Sequence, residues 1–189
     1  MRTSRRLLAG IVLVIFLLGV VIVNKYNSLV RLEENVNTAS SNIDTKLQRR
    51  NDLIPNVVNT VKGYAKQEKG VIDSVTNART KLAGASTTED KVKADSELSS
   101  AISKLLVVVE NYPDLKSSQN FRDLTVELEG AENRIAIARK DYNAAANDYN
   151  VKRRTFPTNI VANIFGFKEK ALYKASEGAQ NVPSVDFSK

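Results

Sequence analysis

Leu7 to Val23 is a run of 17 residues without a polar side chain, and beyond it the apolar positions settle into steps of three and four. As a helix the run measures roughly 25 Å, slightly short of the ~30 Å hydrocarbon core of a bilayer. Local thinning, or Arg6 and Lys25 reaching to the interface, absorbs the difference. The spacing beyond it is helical throughout. Leu29, Leu32, Val36, Ala39, Ile43 and Leu47 form one stripe, and Ile54, Val57, Val61, Tyr64, Val71, Val75, Ala78 and Leu82 continue it. Pro55 interrupts this stretch, which leaves two alternatives: one kinked helix, or a new helix capped by Asn51 or Asp52 with Pro55 in its first turn.

A loop at 84–88 with Thr88 as cap precedes a second helical stretch from about Glu89 to Asn111. The last turns of that stretch are apolar nearly all round, which predicts its most buried end. Residues 112–118 read as a loop. The third stretch has the most regular period. Phe121, Leu124, Leu128, Ala131, Ile135, Ala138, Tyr142, Ala145 and Tyr149 alternate steps of three and four, a bundle seam in which small alanines suit close approach of a partner helix. Phe156-Pro157 ends it. A short helix over Thr158 to Ile164 follows, with Gly166 as its stop.

These elements divide the chain into a basic flank (1–6), a transmembrane helix (7–23), a helical domain (24–176) and an irregular tail (177–189), in which Val182, Val185 and Phe187 are available to dock. The class is all-α. If Pro55 and Pro113 only kink their helices, an elongated helical hairpin roughly 90 Å long replaces a compact bundle.

Composition narrows the chemistry. The chain has 189 residues and no Cys, His or Trp, so it lacks a thiol nucleophile, an imidazole relay and the usual zinc ligands. The net charge of +7 is uneven. Arg2, Arg5, Arg6 and Lys25 give the first 25 residues +4 with no acid, leaving the remainder near balance at +3. A nucleic-acid binder concentrates its excess on the folded part, so nucleic acid is not an expected partner. Three arginines before the span place the N-terminus in the cytoplasm and the helical domain outside. A cleaved signal peptide is the competing reading, but Val21-Ile22-Val23-Asn24-Lys25 offers no small-x-small cleavage pattern.

Carboxylates are the acid/base groups that remain. Most sit beside Lys or Arg on helix faces, as solvated surface does. Asp44 and Asp52 stand out within the polar block 41–56, either paired with Arg49 or Arg50 or capping a helix at Pro55. A hydrolase using these two acids is the remote alternative. Asn42, Asp44, Arg49, Arg50, Asp52 and Asn56, and separately Phe156, Phe165 and Phe167, are the candidate interaction residues. The segment from Phe156 to Phe167 has three expected places: against the bundle end, on a membrane, or on a partner. Tyr142-Asn143 and Tyr149-Asn150 repeat a pair seven residues apart, and core tyrosines reaching a hydroxyl partner account for it.

Several blocks together resemble the LemA family of bacterial membrane proteins: YNSLV (26–30), SNIDTKLQRRNDLIPNVV (41–58), VKGYAKQE (61–68), VTNAR (75–79), the long 117–150 block containing ENRIAIAR, FPTNIVANIFGFKE (156–169) and PSVDF (183–187). Two positions depart from the family pattern. Ser40 stands where a Trp is usual, and Asn51 where an aromatic is usual. The resemblance implies an N-terminal anchor and an antiparallel four-helix bundle, in a family with no established enzymatic activity; no cofactor is expected. The expected role is a membrane-anchored scaffold in the bacterial cytoplasmic membrane, self-associating as a homo-oligomer. The alternative is an adaptor of a membrane protease or envelope-stress signalling complex.

Overall fold

A single helix, α1, runs from Arg2 to Tyr64 and carries the apolar run without a break into the polar-faced part of the chain. The remaining elements of this computed structural model are α2 (Lys69–Gly84), α3 (Thr88–Val109), α4 (Pro113–Ser117), α5 (Gln119–Arg154) and α6 (Thr158–Ile164). The structure describes residues 2–173, with the side chains of 2–9 and Thr88 excluded. The tail and its apolar positions Val182, Val185 and Phe187 lie outside the described residues.

The fold is all-α. Residues 10–23 of α1 are exposed along their length, and α1 is the one described helix long and apolar enough to cross a membrane.

Pro55 lies inside α1 and does not end it. The helix stops at Tyr64 instead, and Ala65–Glu68 turn the chain into α2. Gly63 and Gly70 flank that turn, and glycine lowers helix propensity by about 1 kcal/mol. Tyr64, expected on the apolar stripe, is therefore at a helix end and half exposed, while Ala65 is buried.

Two compact units divide the chain, one from residues up to Asn42 with Ala138–Leu172, the other from Ile43–Ile137 with Tyr173. The second unit is a four-helix bundle. Neighbours in sequence run antiparallel: Lys81 on α2 meets Glu97 on α3 across the loop 85–87. The second half of α1 runs antiparallel to α5, since Thr60 meets Asn120 and Arg49 meets Glu127. It runs parallel to α3, since Asp44 meets Lys91 and Arg50 meets Ser99. Ile54, Val61, Val75, Leu98, Leu105, Leu115 and Ile135 fill the interior, each almost fully buried.

Three details differ from the expectations drawn from spacing. Thr87, not Thr88, caps α3, its hydroxyl accepting the Asp90 N–H at 3.1 Å. The end of α3 is not buried all round: Val109 is buried but Val107 is 70% exposed, because a helix packed on one side leaves its far face to solvent. Residues 112–118 contain the short α4, started by Pro113 at a position that needs no N–H.

In the first unit, Leu29 and Val36 of α1 are buried, as are Ala138, Tyr142, Ala146 and Tyr149 of α5 and Val161 and Ala162 of α6. α6 has the bounds that the spacing predicts. Gly166 follows at φ 73°, a left-handed conformation that glycine adopts without a Cβ penalty.

Candidate functional site

Seven of the nine seam positions are buried, while Leu124 and Ala145 are half-buried. At the far end Ala146 and Asn150 take the interior places. A straight helix drifts by about 20° per heptad against a strict seven-residue repeat, which moves the buried line one position on. The seam thus packs within the chain: Phe121 to Ile135 serve the second unit, and Ala138 to Tyr149 the first.

Arg50 is the largest fully buried side chain in the second unit. Its guanidinium donates to Asp95 on α3, to Glu132 on α5 at 2.6 Å and to Ser99 at 3.0 Å. One residue of α1 is thereby bonded to two other helices. Burial lowers the Arg50 pKa, and the charge and hydrogen bond of Glu132 oppose this. Arginine stays protonated over the accessible pH range, so the charge persists and Asp95, itself 2% exposed, balances it.

Pro55 creates a second junction. It lacks an N–H, so the carbonyl of Asn51, four residues earlier, loses its helical donor. Arg79 of α2 supplies one, its Nε–H reaching that oxygen at 3.1 Å. This explains why the helix continues through the proline. Asn51 itself is buried. Its Oδ1 and the Nε of Arg50 have no hydrogen-bond partner among the described residues. A groove of about 210 Å³ at Asn51 is also lined by Asp44, Leu47, Gln48, Leu82 and Lys91.

The remaining members of the polar block part ways. Asp44 pairs with Lys91 at 2.8 Å, not with Arg49 or Arg50. Asp52 is exposed and accepts from Gln48 at 2.7 Å; neither it nor Asn51 caps a helix. Arg49 is exposed and meets Glu127 at 3.3 Å. Asn42 and Asn56 are exposed. Asp44 and Asp52 lie eight residues apart on one helix, roughly 12 Å along its axis. They are not assembled into the close pair that acid/base hydrolysis requires.

The first unit holds a constellation that spacing alone did not assemble. After Gly166 the chain runs as an extended strap over 167–172. Side chains of α5 bond its backbone. Arg153 donates to the Phe167 carbonyl at 2.8 Å, Tyr149 to Lys168 at 2.9 Å and Tyr142 to Ala171 at 3.0 Å. Asn150 clasps Lys170, donating to its carbonyl at 2.8 Å and accepting its N–H at 2.9 Å. Lys170 also reaches Glu33 of α1 at 2.6 Å. The hydroxyl partners foreseen for the tyrosines are thus carbonyls of the chain itself. Burial raises the pKa of Tyr142, and burial with the charge of Glu33 raises that of Tyr149. Phe165 and Phe167 place their rings 4.9 and 5.6 Å from Tyr26 of α1, while Phe156 is 76% exposed.

The residues that carry these junctions fall in the blocks quoted above: Arg50 and Pro55 in RRNDLIPN, Arg79 in VTNAR, Glu132 in ENRIAIAR. Residues 39–187 match the LemA family. The chain belongs to the LemA family. Relatives include Magnetosome protein MamQ 2 and Magnetosome protein MamQ 1 of Paramagnetospirillum magneticum, each 30% identical over 97% of this chain and 79% of the relative. Protein LemA of Metamycoplasma hominis is 30% identical over 83% of this chain and 72% of the relative. In this LemA family chain, the motif residues therefore do identifiable work inside the fold: each named one ties α1 to another helix.

Proposed function

We propose that this protein is a non-enzymatic, membrane-anchored helical scaffold of the bacterial cell envelope, held by residues 7–23 with its N-terminus in the cytoplasm and its helical part outside. The observation that carries the reading is that Arg50, Arg79 and Glu132 bond helices to one another within the chain, Arg50 donating to Glu132 at 2.6 Å and Arg79 to the Asn51 carbonyl at 3.1 Å. The three arginines before the span support the orientation.

Self-association belongs to this reading, but the seam no longer carries it, because the seam is used within the chain. Support comes from another face of α5. Val126 and Ile137 are 67% and 54% exposed and eleven residues apart, so they share a side of the helix, with Gly130 between them. Cross-linking in native membranes tests this. Wild type is expected to give dimers or larger species, and the Val126→Glu/Ile137→Glu variant monomer. Monomer alone from wild type contradicts the proposal.

The adaptor role is the second reading. Arg49, Asp52 and Asn56 favour it, since they lie at three- and four-residue steps on the exposed side of α1. Affinity capture with alanine at all three positions separates the two readings: a membrane protease or signalling protein lost from the variant supports the adaptor.

A further inference from the structure

α6 has apolar side chains on two sides, and only one side is packed. Thr158, Val161 and Ala162 are buried. Ile160 and Ile164, four residues apart, share another face and are 50% and 70% exposed, with Phe156 just before the helix at 76% and Phe165 just after it at 53%. Such a surface on a folded chain marks a contact.

Its place in the first unit says what lies nearby. Tyr26 is three residues past Val23, the last residue of the apolar run, roughly 4.5 Å further along the helix axis. The rings of Phe165 and Phe167 lie 4.9 and 5.6 Å from that of Tyr26. The polar layer on each side of a bilayer is roughly 5–7 Å deep. When residues 7–23 span the membrane, the end of α6 is therefore at headgroup depth. Aromatic rings favour that layer, and the exposed Arg154 and Lys168 near the two ends of α6 suit anionic headgroups.

We propose that α6 is a second membrane contact, with Phe156, Ile160, Ile164 and Phe165 seated in the lipid interface of the bilayer that α1 crosses. A chain held by one helix swivels about it, and a second contact fixes the rotation of the unit on the surface. The inference rests on the anchor reading, and its test keeps the two apart.

The chain has no Trp, so a single introduced Trp is the sole reporter. Full-length Ile160→Trp, Ile164→Trp, Leu13→Trp and Val107→Trp variants are reconstituted in phosphatidylcholine–phosphatidylglycerol vesicles carrying nitroxide-labelled lipids. Leu13→Trp reads the anchor and is expected to be quenched by deep labels. The Ile160→Trp and Ile164→Trp proteins are expected to emit at shorter wavelength than the Val107→Trp control. Shallow labels should quench them several-fold more strongly than that control. Strong Leu13→Trp quenching with control-level quenching at 160 and 164 overturns the proposal. A blue shift at 160 and 164 without lipid quenching also overturns it, since a second copy or another protein then covers the face. Loss of quenching at Leu13→Trp contradicts the anchor itself.

Discussion

Arg79 donates its Nε–H to the carbonyl oxygen of Asn51, the acceptor left open by Pro55. A guanidinium 28 residues away in sequence thus replaces the backbone donor that proline lacks. The proline and the arginine form one device, and their substitution energies should be coupled. Arg79→Met is expected to cost about 1–3 kcal/mol, the penalty of an unsatisfied buried group. In a Pro55→Ala background the restored backbone N–H serves the same carbonyl, and the cost of Arg79→Met should shrink. Denaturant unfolding of the four proteins in detergent checks this. Additivity within about 0.5 kcal/mol contradicts the assignment.

The Arg50–Asp95 pair should behave as a buried ion pair. Asp95→Leu alone leaves the guanidinium without its buried counter-charge and is expected to cost about 3–5 kcal/mol. Arg50→Met combined with Asp95→Leu removes both charges and should recover most of that loss. Thermal melts of the single and double variants read the difference. By contrast, breaking the exposed Arg49–Glu127 pair should change stability by less than about 1 kcal/mol.

Asn150 makes two bonds to the strap, and Tyr149 makes one. Asn150→Ala is expected to release residues 167–172 to proteolysis sooner than Tyr149→Phe does. Each lost hydrogen bond accounts for about 1 kcal/mol. Timed digestion followed by mass spectrometry locates the first cut. A first cut in the loop 85–87 in both variants, at the wild-type rate, contradicts the fastening role.

Tyr142 and Tyr149 hold their protons more tightly when folded than when unfolded, because both pKa values are raised from an ordinary value near 10. A raised folded pKa contributes stability that is complete below the unfolded value and is lost as pH climbs through the folded one. The protein should therefore lose stability as pH rises beyond about 10. The Tyr142→Phe/Tyr149→Phe variant should show a shallower alkaline decline. Urea midpoints across that pH range measure both slopes.

Much of this fold is legible as periodicity. The apolar run, the α5 seam and the bounds of α6 all follow from local spacing and Pro/Gly punctuation. The outcome at Pro55 was not legible, because the donor that rescues the helix is a side chain of α2. The turn at 65–68 was hidden for a related reason: the apolar stripe continues through it, and only Gly63 and Gly70 hint at a break. Arg50 reads as surface, standing next to another arginine in a polar block, and its burial depends on an acid 45 residues away. The Tyr-Asn repeat does point to tyrosines in need of a partner. The partner is an extended strap, which has no hydrophobic period to announce it.

The family-motif residues Arg50, Arg79 and Glu132 hold the helices together, and the proposed function leaves contact with other molecules to the surface. The variant Arg50→Met/Asp95→Leu tests it most directly, examined in native membranes by affinity capture and cross-linking. Provided its helix content and melting match wild type, the account predicts the same cross-linked species and the same captured proteins. A variant that folds equally well but loses them would show that the buried ion pair is itself part of the function, and would contradict the account.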